Sequence, residues 1–231
     1  MMLMNNIKDV YKRIAHAAMR SGRSPEEVKL IAVSKGVGAE TIKNVVENGI
    51  RELGENRIQE AQEKITIIKA CLPQSRVKWH LIGHLQKNKA KSAVKLFDMI
   101  HSVDSPELAE LIERYAGEIG KKQKIMLQVK LSDEESKHGI LKDNFIEVLT
   151  AIGHLGNLQV EGLMTIPPYF DDPEMVRPFF RELRELKDKA VQAGFGLSEL
   201  SMGMSNDFEI AIEEGATMVR VGTAIFGERS Y

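Results

Sequence analysis

LIAVSKG, residues 30–36, is a short apolar run that ends on a lysine and a glycine. Leu30 to Ser34 read as one buried β-strand. The residues just after a first strand distinguish the two common parallel α/β architectures. A doubly wound sheet carries a Gly-rich dinucleotide fingerprint there, whereas a barrel gathers its chemistry at the carboxyl ends of all its strands. No such fingerprint comes after Ser34; an amine does, on Lys35.

Seven further strand candidates extend the pattern: IREL (50–53), KWHLIG (78–83), MIHSV (99–103), KIMLQV (124–129), LQVEGLMTI (158–166), ELSMG (199–203) and TMVRVG (217–222). Each precedes a segment that can be helical. Eight such units, with strands apolar on both faces, predict an α/β fold: a single (β/α)8 TIM-type barrel, with an open doubly wound sheet as the alternative. Boundary chemistry agrees. Ser105-Pro106-Glu107 and Asp172-Pro173-Glu174 place a capping side chain before a proline, Asn206 and Glu209 have capping-box spacing, and Gly49, Gly120, Gly194 and Gly215 fall where helices should end. A leading amphipathic helix is expected over residues 1–22 and the barrel over 30–231, as one domain.

The chain has 231 residues, 43% of them hydrophobic, enough for one well-buried core. A net charge of −1, from 32 Lys+Arg and 33 Asp+Glu, offers no electrostatic footprint for nucleic acid or membrane. Cys71, the single cysteine, excludes an internal disulfide, fits a reducing compartment and reads as a buried apolar residue. The N-terminus has no apolar signal core and no run reaches 18 apolar residues, so a cytoplasmic protein is expected.

In a barrel, the residues just beyond each strand are the ones to inspect. Lys35 shares side-chain parity with Ile31 and Val33 and is expected to lean inward over the barrel top. Partial desolvation there would lower its pKa and free the amine for Schiff-base chemistry; an ordinary solvated lysine is the alternative. LSMGMSNDFEIAIEEG (200–215) puts glycine, serine and a helix start after the seventh strand, and VRVGTAIFG (219–227) puts Gly222-Thr223 after the eighth. That pattern matches the habitual phosphate site of barrels, with Ser205 and Thr223 adding hydroxyl donors; plain tight turns are the alternative. Arg220 has inward parity and needs an acceptor, either the ring nitrogen of a pyridoxal cofactor or an inward acid such as Glu55. His80 and His84 are spaced like a zinc pair, but the segment is strand-like, contains Gly83 and lacks the glutamate, so no metal is assigned to them. The basic run Lys87 to Lys91 reads as a solvated helix face.

The motifs AVSK (32–35), LGENRIQEAQEK (53–64), WHLIGHLQKNK (79–89), HSVDS (101–105), EESKHGI (134–140), GLMTIPP (162–168), LSMGMSNDFEIAI (200–212) and VRVGTAIFG (219–227) together resemble the pyridoxal-phosphate homeostasis protein family. These are small PLP-binding proteins related to the barrel domain of alanine racemase. The resemblance implies a barrel holding pyridoxal 5'-phosphate (PLP) as an internal aldimine on Lys35. It implies phosphate binding by Ser205, Gly222 and Thr223, Arg220 near the pyridine ring, and Asn56 and His84 lining the pocket. Departures from the family pattern fall at Gly36-Val37-Gly38, Arg57-Ile58 and Lys130, around the pocket rim.

Two functions then compete. One is a carrier or reservoir in vitamin B6 homeostasis, with no catalytic residue of its own, supplying PLP to apo-enzymes. The other is a racemase-like PLP enzyme acting on amino acids; a Schiff-base aldolase using Lys35 is a third, weaker reading. A racemase needs an acid–base group on each face of the substrate's α-carbon. In the racemases resembled, the second is a tyrosine from an additional β-domain, and no such domain is expected here. Of Tyr11, Tyr115, Tyr169 and Tyr231, only Tyr169 closely follows a strand. The carrier, as a monomer, is the expectation.

Overall fold

The computed structural model describes residues 2–132, 134 and 138–228. Its strands are β1 (Lys29–Val33), β2 (Glu52–Glu55), β3 (Lys78–Leu81), β4 (Met99–Val103), β5 (Gln123–Lys130), β6 (Ile140–Leu141), β7 (Leu158–Met164), β8 (Glu199–Ser201) and β9 (Met218–Val221). Its helices are α1 (Met2–Arg20), α2 (Ala39–Glu47), α3 (Ile58–Cys71), α4 (Ala90–Leu96), α5 (Pro106–Glu118), α6 (Phe145–Ile152), α7 (Arg177–Gln192), α8 (Phe208–Glu213) and α9 (Thr223–Phe226). Eight strands pair in parallel in the order β1-β2-β3-β4-β5-β7-β8-β9, and β9 returns to β1 with Ile31 opposite Arg220. The sheet is therefore a closed (β/α)8 barrel. The two-residue β6, which the sequence did not signal, extends β5 locally through Val129 and Lys130.

Parity divides the apolar residues into two cores. Ile31, Met99, Met126, Met164 and Met218 fill the barrel interior, while the larger cluster lies between the strands and the helix ring. Methionine suits the interior because its unbranched chain fills irregular gaps. Helix α1 buries Ile7, Val10, Ile14, Ala17 and Ala18 and is tied to α8 by Arg13–Glu209 at 2.6 Å and Arg20–Glu213 at 2.7 Å.

Several expected boundaries move. The strand expected at 50–53 runs over Glu52–Glu55 instead. Its second half reads as loop because glycine and glutamate are poor strand formers. Gly54 points into the barrel, where a Cβ would lie 2.9 Å from Ile31 Cγ2, so only glycine fits without displacement. Ser105 caps α5, accepting from the Leu108 N–H at 3.3 Å. Asp172 accepts from Glu174 N–H at 3.0 Å, but it opens a 3-10 turn ahead of α7. No Asn206–Glu209 capping box forms: Glu209 is taken by Arg13, and Asp207, at the N-cap, accepts from Met204 N–H at 2.5 Å.

Cys71 is exposed, contrary to expectation, because it is the last residue of α3 and turns outward. The folded protein should therefore react with a disulfide reagent at one thiol, at a rate close to that of the unfolded chain; a protected thiol would contradict this placement.

Candidate functional site

Each end of the barrel holds a cavity. The one at the strand N-termini, about 290 Å³, is ringed by charges that cancel locally: Lys78 with Glu52 at 3.2 Å, Lys124 with Glu161 at 2.6 Å, and Lys29 with Glu199. The one at the carboxyl ends, about 300 Å³, is lined by Lys35, Asn56, Ser205, Arg220, Gly222 and Thr223, with Tyr169 and Asp207 beside them. Six of the seven residues named from sequence thus meet in one cavity. His84 does not line it. It is exposed, borders a neighbouring cleft shared with Asn56, and stacks on His138.

Lys35 is half-buried, and the backbone on either side of it is clamped to α3. Lys64 Nζ donates to the Ser34 carbonyl at 2.6 Å and to Glu55 Oε1 at 2.8 Å, and Ser34 Oγ donates to the same Glu55 oxygen at 2.6 Å. Glu60, paired with Lys64, accepts from the Gly36 N–H. Glu55 therefore faces outward, under α3, and not toward Arg220: with Gly54 pointing inward, its neighbour must point the other way. Burial raises the Glu55 pKa above the usual carboxylate range, against the donors Lys64 and Ser34. The motif GENRIQEAQEK (54–64) is thus the wall that fixes the Lys35 backbone.

Ser205 Oγ accepts from the backbone N–H groups of Gly222 at 3.2 Å and Ala224 at 3.4 Å. The loop after β8 and the residues after β9 therefore meet at one point of the wall. Asn56 is held by close backbone packing: a Cβ on Gly83 would lie 2.4 Å from the Asn56 carbonyl oxygen. Its Oδ1 is buried without a hydrogen-bond partner. Asp207, which the sequence did not single out, has its pKa raised by burial, against the Met204 N–H and the nearby Arg220 charge.

Arg220 begins a buried hydrogen-bonded chain. It donates to Ser201 Oγ at 2.6 Å and to the Thr165 carbonyl at 2.8 Å. Ser201 Oγ lies 2.9 Å from His101 Nδ1, His101 Nε2 lies 2.8 Å from His80 Nδ1, and His80 Nε2 lies 2.6 Å from Glu52 Oε2. A guanidinium can only donate and a carboxylate only accept, so the two ends of the chain are set: Ser201 Oγ accepts from Arg220, and Glu52 accepts from His80 Nε2–H. Burial pulls the guanidinium down to about 10, against the pull of Asp207, leaving it cationic at neutral pH.

Burial, with the charges of His80 and Arg220, depresses the His101 pKa well below its ordinary 6.5. The unfolded chain therefore takes up a proton that the folded one refuses. The His101 contribution is intact above pH ~6.5 and is lost as pH falls below it, by up to about 1.4 kcal/mol per pH unit. Urea midpoints between pH 7.5 and 5 should fall less steeply in His101→Gln than in the unsubstituted protein; equal slopes would contradict a neutral buried His101.

The model of the alanine racemase N-terminal domain family matches residues 6–230. The pyridoxal phosphate homeostasis protein of Aquifex aeolicus (strain VF5) is 44% identical, over 96% of this chain and 96% of that protein. The one from Escherichia coli (strain K12) is 38% identical, over 99% and 97%. The chain belongs to this family. Among solved structures, PipY of Synechococcus elongatus PCC7942, with PLP bound, superposes with a TM-score of 0.83 at 41% identity, covering 94% of this chain and all (100%) of that one. An alanine racemase from Clostridium difficile 630 superposes at 0.73 with 18% identity, over 100% of this chain and 59% of that one, a likeness of fold.

Proposed function

We propose that the protein binds PLP in the carboxyl-end cavity, joined covalently to the Lys35 amine, and holds it for delivery to apo PLP-dependent enzymes without turnover of its own. The observation that carries this reading is the convergence of an amine, a buried cationic guanidinium and the Ser205–Gly222–Thr223 wall on one cavity of about 300 Å³. The residues fit the group. Ser205, Gly222 and Thr223 would take the phosphate, Arg220 would face the pyridine nitrogen, and the unpartnered Asn56 Oδ1 suits a ligand that brings a hydroxyl donor. When bound, PLP supplies an aldehyde that condenses with amines and a conjugated ring that absorbs visible light. The chain's own residues supply the amine, its fixed backbone and the anion-binding wall.

Full-length similarity to proteins named for PLP homeostasis, and to PipY with PLP bound, supports the carrier over the racemase. So does the tyrosine inventory. Tyr169 is the one tyrosine lining the cavity among the described residues, and at 74% exposure it stands largely in solvent. Tyr231 lies outside the described residues. The PLP-loaded protein should restore an apo PLP enzyme while giving no D-alanine from L-alanine above the level set by free PLP. Racemisation that scales with protein concentration would favour the enzyme reading. Ser205→Ala should weaken PLP retention about three- to tenfold, by removing one neutral hydrogen bond, and leave covalent attachment intact; unchanged retention would move the phosphate elsewhere.

A further inference from the structure

We propose that His84, His138 and Asp104 form a binding site for a divalent transition-metal ion, zinc-like in its ligand preference, on the barrel rim beside the PLP cavity. The three come from successive strand-end loops, after β3, β4 and β5. Their candidate ligand atoms all lie within 4.8 Å of one another. The two imidazole rings stack at 3.8 Å between centroids and 13° between planes, and His84 Nδ1 is 3.5 Å from Asp104 Oδ2. Around a tetrahedral ion with bonds of about 2.1 Å, ligand atoms stand roughly 3.4 Å apart, so the nitrogens are near enough, but the stacked rings must unstack and rotate for both in-plane lone pairs to meet one ion. Both histidines are exposed and can tilt without disturbing the core.

The backbone under these residues is anchored. Gln128 Nε2, at the end of β5, donates to the His138 carbonyl at 2.9 Å. Leu85, next to His84, is buried at 2% exposure, and Asp104 directly precedes the Ser105 cap of α5. Two imidazoles and one carboxylate suit zinc, cobalt, nickel or copper, whereas magnesium and calcium favour all-oxygen sets. The sequence spacing of His80 and His84 pointed away from this site. His80 is committed inside the barrel to Glu52 and His101, while the partners of His84 come from loops 20 and 54 residues further on.

The test is calorimetric titration of the tag-free protein with zinc chloride, paired with the visible spectrum of the cobalt form. One ion per chain is expected, and His84→Ala or His138→Ala should each weaken it by at least about tenfold, because each removes a ligand. The Lys35-linked cofactor band and the melting temperature should not move in either variant, which separates this result from any failure of the PLP reading. No zinc uptake would overturn the proposal. So would unchanged affinity in the variants, which would place the ion on another exposed group such as Cys71 or His16.

Discussion

Lys35→Ala should leave the protein folded but unable to hold PLP covalently. The unsubstituted protein should show a visible band that borohydride removes, and the variant none. The stability cost should be small, within about 0.5 kcal/mol, because Lys35 is half-buried at the cavity mouth and its truncation strands no buried partner. Retention of PLP should fall by well over tenfold, since only the phosphate wall and Arg220 remain to hold it. A variant that keeps a reducible adduct would show that another amine, not Lys35, forms the bond. A variant that unfolds would show that Lys35 supports the barrel in a way its exposure does not suggest.

The second large effect lies behind the lysine. Lys64→Met should destabilise the protein by about 3–5 kcal/mol, because it leaves the fully buried Glu55 carboxyl without its cation. For a chain of this size that is roughly 6–20 °C in melting temperature. The Ser34 carbonyl loses its tie to α3 in the same step and keeps only the Val37 N–H, so the backbone carrying Lys35 loosens and PLP uptake should slow along with the loss of stability. Adding Glu55→Gln to Lys64→Met should recover part of the loss, since a neutral amide costs less to bury than an unpaired carboxylate. A melting shift under about 2 °C in Lys64→Met would show that the pair is not the clamp its distances indicate.

Parity makes much of this site legible in the sequence. Two-residue alternation along LIAVSK (30–35) and MVRVG (218–222) puts Lys35 and Arg220 over the same cavity, and both residues line it in the structure. Parity fails for Glu55, because a strand read over 50–53 begins two residues early and its alternation does not pass through Gly54. The same misplacement hides the pairing of Glu55 with Lys64, nine residues on and one helix away. Resemblance assigns His84 to the pocket, yet Gly83 turns the chain so that the ring leaves the cavity. The Arg220–Ser201–His101–His80–Glu52 chain does have a signal in the sequence: polar residues at inward positions of otherwise apolar strands must find partners with one another. Asp207 and Cys71 carry no comparable signal. Their surroundings depend on how the loop after β8 and the end of α3 meet the barrel, which local pattern does not encode.

Borohydride reduction of the PLP-loaded protein followed by peptide mass mapping tests the attachment at Lys35 most directly. One modified lysine is expected, Lys35, on the peptide that spans the end of β1. A modification found chiefly on another lysine, or a protein that takes up no PLP at all, would contradict it.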